Sequence, residues 1–132
     1  MNAGYTFSFP DRHNIRHIHV VISDPQQLAD ICYPGFVFFI MLSTRERHKE
    51  DCCILKIGDH PSITHDTVAV YEIPPAGFVR LSLLCQWKER GQLIEKEPVS
   101  EEVLQRLRKG YAKSNYKKDG VYQFLYRQKV IE

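Results

Sequence analysis

Phe36-Val37-Phe38-Phe39-Ile40-Met41-Leu42-Ser43 is the stretch whose reading decides the fold. Its seven residues from Phe36 to Leu42 form the longest unbroken apolar run in the chain. The run is too short for an ordinary helix, has no polar stripe and is rich in aromatic and β-branched side chains. Such a segment is expected to be a central strand buried on both faces.

Outward from it, residues 16–24 read as another strand. Alternation puts Ile18, Val20 and Ile22 on one face, and His17, His19, Val21 and Ser23 on the other. Asp24-Pro25 ends it, because proline restricts the residue before it and cannot donate to a ladder. A helical turn over 25–31 and a turn at 33–35 lead into the central strand. Charged residues 44–51 form a connector. Strands are expected at 52–57 and 67–73, with Pro74-Pro75-Ala76-Gly77 breaking the second. Residues 78–87 and 92–96 read as a hairpin turning at Arg90-Gly91.

The period changes after residue 98. Val103, Leu104 and Leu107 share a helical face over 99–109. Ser100 is the expected N-cap, Glu101 and Glu102 suit the positive end of the helix dipole, and Gly110 is read as the C′ residue. Residues 120–131 fit a second helix or an edge strand equally well. The fold class expected is mainly β: one domain over 1–132, a strongly curved, mostly antiparallel barrel at about 5–97 and a C-terminal helical region at about 99–132.

Bulk properties exclude several classes. A hydrophobic fraction of 43% with 26% charged residues is ordinary for a globular chain. No apolar run approaches the roughly 20 residues of a membrane span. Residues 1–10 lack a basic start and apolar core, so no signal peptide is read there and a cytoplasmic home is expected. Cys32, Cys52, Cys53 and Cys85 form no C-x-x-C pair and lie in or beside apolar segments, as buried free thiols would. Residues 1–98 carry 10 Lys and Arg against 12 Asp and Glu, whereas residues 99–132 carry 8 against 4. Basic residues interleaved with Tyr111 and Tyr116 suit a nucleic-acid surface or a solvated helix face.

Chemistry concentrates in Gly58-Asp59-His60-Pro61-Ser62-Ile63-Thr64-His65-Asp66. Two imidazoles on a punctuated loop between strands can move protons or bind metal. Three readings are open. His17 and His19, an H-x-H on one strand face, could join Asp59, His60 and His65 around a divalent ion. His60, His65, Arg16 and Thr44 have the groups needed to cleave a phosphodiester without metal. Cys52 or Cys53 near His60 could form a thiolate pair, although packing within a strand accounts for both.

Several motifs recur in a familiar order: His17-Ile18-His19-Val20-Val21-Ile22-Ser23-Asp24-Pro25, Leu42-Ser43-Thr44, Cys53-Ile54-Leu55, Gly58-Asp59-His60-Pro61 and His65-Asp66-Thr67-Val68-Ala69-Val70-Tyr71. The series resembles the MazF/PemK-like toxin superfamily, in a divergent branch with a Gly-Asp-His-Pro loop. The similarity covers 16–71, with a weaker match over 101–110. It implies a small SH3-like barrel, a homodimer, and a metal-independent endoribonuclease that cleaves single-stranded RNA and is neutralised by an antitoxin protein. It also implies a site at an arginine before the first core strand and a threonine ending the next, where Arg16 and Thr44 stand. The chain departs from the family at three places. His17 replaces the usual proline, the Gly-Asp start is missing, and Ile73 leads into Pro74-Pro75 rather than a charged catalytic segment. His60 and His65 are the expected substitutes.

The expected toxin-like site thus assigns Arg16 to phosphate stabilisation, Thr44 to positioning, and His60 and His65 to proton transfer. His17, His19, Ser43, Asp59, Arg106 and Lys109 are expected to contact RNA. No metal, cofactor or membrane is expected. The alternatives are a non-catalytic module binding nucleic acid or protein on the same barrel, and a metal-dependent hydrolase.

Overall fold

A computed structural model of the chain describes residues 1–25 and 35–116. Within them lie β1 (Thr6–Pro10), β2 (Arg16–Val21), β3 (Phe36–Thr44), β4 (Ile54–Leu55), β5 (Thr67–Val70), β6 (Gly77–Arg80), α1 (Leu81–Glu89), β7 (Ile94–Lys96) and α2 (Glu101–Lys113). The strands form one sheet in the order β4-β5-β3-β2-β1-β7, with β6 also on β3, and every pairing is antiparallel.

The apolar run is the middle of this sheet. One edge of β3 pairs with β2, from Ile18↔Leu42 to Val21↔Phe39. The other edge is shared: Phe36 to Phe39 take β6, and Met41 to Thr44 take β5. Both faces are covered. Phe38, Ile40 and Leu42 join a core with Val20, Leu55, Tyr71 and the α2 residues Val103, Leu104, Leu107 and Tyr111. Val37 turns the other way, into a core with Phe7, Val21, Leu93 and Leu84 of α1. Burial on two sides explains why the run carries no polar position.

The expected barrel is not closed. The terminal strands β4 and β7 do not pair with each other. A helix on each face provides the apolar cover that closure would otherwise supply. The expected 78–87/92–96 hairpin is also corrected. Only Gly77–Arg80 is strand, and Leu81–Glu89 is helix. Residues 81–89 contain no β-branched side chain, and their leucines favour helix. Leu81, Leu83, Leu84 and Trp87 pack into the second core, while β7 pairs with β1, a strand the sequence reading does not pick out. The strands expected at 16–24, 52–57 and 67–73 end sooner, at Val21, Leu55 and Val70. The elements expected at 25–31, 33–35 and 120–131 lie wholly or largely outside the described residues. Cys52 is half-buried and Cys53 buried, but Cys85 is exposed on α1, contrary to the buried reading.

Ser100 caps α2 as expected, its hydroxyl accepting from the Val103 N–H at 3.2 Å. Gly110 does not end the helix, which continues to Lys113. Its missing side chain serves close approach instead. A Cβ there would lie 2.8 Å from the Cys53 Cβ, 3.2 Å from the Cys52 carbonyl oxygen and closer still to the Tyr71 hydroxyl. That hydroxyl is buried and donates to the Leu107 carbonyl at 2.6 Å. Tyr111 meets Phe38 and Tyr71 edge-on, at 5.5 and 5.6 Å between ring centroids. Helix and sheet thus approach closely at Gly110.

Gly110→Ala improves helix propensity by about 1 kcal/mol, yet it forces this contact apart at a cost of about 1–3 kcal/mol. A net loss of stability is expected, read as a lower urea midpoint. A variant as stable as the parent would show that the approach is not tight.

Candidate active site

An open cleft of about 310 Å³ lies where β2 begins and β3 ends, closed on its third side by residues 62–67. Arg16, His17, Ser43, Thr44 and His65 all line it. Sheet register makes the central pair. Thr44 ends β3 opposite Thr67, the first residue of β5, and the Arg45 N–H bonds the Asp66 carbonyl just beyond the ladder. His65 therefore arrives beside Thr44, with Nε2 2.9 Å from its Oγ1. Its Nδ1 lies 3.1 Å from the Thr64 hydroxyl. Both neighbours are hydroxyls, which donate or accept by rotating, so either ring nitrogen can carry the proton. Thr44 and His65 are both exposed to solvent.

Arg16 borders the same cleft from the start of β2. Its Nη1 donates to the Ser8 carbonyl and hydroxyl, each at 3.3 Å, and to the Gln92 carbonyl at 3.1 Å. All three bonds use one nitrogen of a five-donor fork. His17 places Nε2 2.9 Å from Asp11 Oδ2. The His17 ring and the Ile15 N–H hold the Asp11 carboxyl down at about 2, so it stays ionised across the physiological range.

His60, five residues before His65, has a different environment. Gly58 adopts φ +102°, a conformation that favours glycine, in the turn that leads into His60. His60 is 5% exposed. Its Nδ1 accepts from the Ser62 N–H at 3.0 Å, so its short contact with the Glu97 carbonyl must use Nε2–H. Two backbone partners select one tautomer, and the ring fastens the loop to the segment leading into α2. It does not line the cleft.

Three expected RNA contacts are likewise engaged within the fold. Asp59 and Arg106 form a two-pronged pair at 3.0 and 3.3 Å, and Arg106 also donates to the Ile54 carbonyl at 2.7 Å. Burial pushes the Asp59 carboxyl up, but the Lys56 N–H and the Arg106 guanidinium outweigh it and leave it lowered. His19 is 8% exposed, stacked on Phe7 at 5.2 Å and edge-on to Phe39 at 5.6 Å. Arg108, another cation of the basic stretch, donates to the Ile22 carbonyl at 2.8 Å. Lys109 alone of the three neighbouring α2 cations is exposed.

The structure therefore divides the histidine clusters: His17 and His65 share the cleft, while His19 and His60 are interior. Among the described residues, no three His, Cys, Asp or Glu side chains are gathered as metal ligands would be. Burial raises the Cys53 thiol to about 11, which leaves it protonated and removes the basis for a thiolate pair. Sequence reasoning passed over Lys49, whose Nζ donates to the Ser43 hydroxyl at 2.8 Å and the Thr44 carbonyl at 3.0 Å. Its only signal was a cation in the connector after Thr44.

No protein-family model, curated protein or solved structure matches this chain. No helix among the described residues is long and apolar enough to cross a membrane.

Burial, aided by the nearby His17, lowers the His19 imidazole from 6.5 to about 4. The unfolded chain then binds more protons than the folded one between these values. Stability contributed by neutral His19 is complete above pH 6.5 and is lost as pH falls toward 4, on the order of 3 kcal/mol in all. Urea unfolding across this window should show that slope, and His19→Phe should flatten it. An unchanged slope in the variant would assign the effect to other groups.

Proposed function

We propose that this chain is a metal-independent endoribonuclease acting on single-stranded RNA, the toxin-like component of a toxin–antitoxin pair. The fold would be an opened form of the SH3-like MazF/PemK type. The observation that carries the reading is the Thr44–His65 hydrogen bond in an open cleft bordered by Arg16. Two imidazoles, a hydroxyl and a guanidinium supply the base, acid and charge stabilisation that RNA transesterification uses.

In this mechanism His65 removes the proton from the ribose 2′-hydroxyl. The 2′-oxygen attacks phosphorus, and the bond from phosphorus to the 5′-oxygen breaks. That oxygen leaves with a proton from His17, whose partner Asp11 is ionised. The products are a 2′,3′-cyclic phosphate and a 5′-hydroxyl. Arg16 stabilises the charge on the phosphorane, and Thr44 orients His65 and the scissile phosphate. His17 thereby takes the place of His60, which the sequence reading pairs with His65 for proton transfer. A cytoplasmic setting, an antitoxin protein and a homodimer belong to the same proposal.

The rival is a non-catalytic RNA-binding module using the same cleft. Arg16 favours it, since a cation anchored to Ser8 and Gln92 suits a resting phosphate as well as a reacting one.

Purified protein in EDTA should release cyclic-phosphate ends with a bell-shaped pH profile. His65→Ala should lower cleavage by about 10²–10⁴-fold without changing the melting temperature. His60→Ala should instead lower the melting temperature. RNA bound tightly but left intact would establish the rival. Activity lost in chelator and restored by zinc would overturn the metal-free mechanism.

A further inference from the structure

A second concavity, of about 320 Å³, opens near the end of β3. Met41 lines it, Leu42 and Thr44 line the first cleft, and Ser43 borders both. Alternation along β3 puts Met41 on the face opposite Leu42 and Thr44, and the two concavities adjoin at Ser43, by the strand end. Met41 and its register partner Val70 supply apolar surface, to which Pro75 adds. Tyr116 stands at the margin, 46% exposed, among the few large hydrophobic side chains so exposed in the described residues. Its position is built. Glu50 accepts from the Ser114 hydroxyl and, at 2.7 Å, from the Asn115 N–H, and the Tyr116 N–H bonds the Ser114 hydroxyl at 3.0 Å. Glu72 adds a carboxylate to the lining and Lys49 a cation.

This combination has a specific chemistry. A half-exposed phenol beside apolar surface is a stacking platform for a flat ring. A carboxylate accepts from ring N–H and exocyclic amino groups but meets the carbonyls of uracil unfavourably. Lys49 bonds both the Ser43 hydroxyl and the Thr44 carbonyl, so it links this pocket to the strand end that carries the first cleft.

We propose that this pocket is a nucleobase subsite for the nucleotide neighbouring the scissile phosphate. It stacks the base on Tyr116 and selects amino-bearing bases through Glu72. Guanine fits best, because its adjacent N1–H and N2–H₂ donors match the two carboxylate oxygens. Uracil fits least. Lys49 holds the intervening phosphate. The inference rests on the RNA-cleaving reading of the Thr44–His65 cleft and adds to it a preference for sequence.

The test uses the full chain and two probes. One is a set of nucleoside 5′-monophosphates (GMP, CMP, AMP and UMP) titrated by NMR. The other is a set of RNA oligomers differing in one base beside the cleavage site. GMP should bind tightest and UMP weakest. Tyr116→Ala should weaken every nucleotide by about 10-fold, and Tyr116→Phe should restore binding. Glu72→Gln should erase the difference between GMP and UMP without weakening UMP. In the cleavage assay the same variants should relax base preference while His65→Ala removes turnover. Cleavage whose base preference survives both Tyr116→Ala and Glu72→Gln would overturn the subsite and leave the nuclease reading standing. Selective mononucleotide binding with no RNA cleaved would support the subsite and sink the nuclease. Absence of mononucleotide binding, or displacement of none of it by these variants, would overturn the subsite.

Discussion

The architecture depends on the coverage of β3 from four directions. Its two edges are taken by β2 and by the successive pair β6 and β5, and its two faces by separate cores. A strand held in this way cannot slip by one residue without exchanging Phe38, Ile40 and Leu42 for Val37 and Phe39 in two differently shaped cores. Its end is therefore fixed in space. Thr44 gains its position from that end, Ser43 and Lys49 from the residues around it, and His65 from the strand paired beside it. The cleft is a consequence of register, with loops supplying only the last contacts.

The loop from Gly58 to Asp66 shows how environment divides residues of one type. His60 and His65 differ little in sequence surroundings, since each is adjacent to an aspartate. Yet one ring lies between a backbone donor and a backbone carbonyl, and the other between two hydroxyls. Backbone partners cannot change their roles, so they favour one tautomer. Hydroxyls can rotate, so they accommodate proton exchange. The same contrast separates the aspartates. Asp59 is consumed by Arg106, while Asp66 lies 3.6 Å from Arg45 at the surface.

The basic stretch of α2 is used in a comparable way. A row of cations on a helix reads as a nucleic-acid surface, but Arg106 reaches the Ile54 carbonyl in β4 and Arg108 the Ile22 carbonyl just beyond β2. Carbonyls at the ends of short strands need donors, and long guanidinium side chains supply them while their stems cover apolar surface. Charge that looks available in a sequence is here spent on fastening the helix over the first core.

From sequence alone followed what depends on local pattern. The central strand, the alternation of β2, the mainly β class and the Ser100 cap were legible from apolar periodicity and turn chemistry, whereas the pairing of Thr44 with His65 came only from the strand register. Arg16, His17, Ser43, Thr44 and His65, singled out as residues, do line one cleft. What tertiary structure decided is what depends on distant partners. It left the sheet open because two helices cover it, made 81–89 helical, and gave Gly110 an interior position against Tyr71. It also withdrew His19, His60, Asp59 and Arg106 into the fold's own contacts. Sequence carries the identity of a donor or acceptor, but its partner lies up to 86 positions away, as for Arg108 and Ile22. Only folding determines which polar groups are satisfied internally and which remain to meet a ligand.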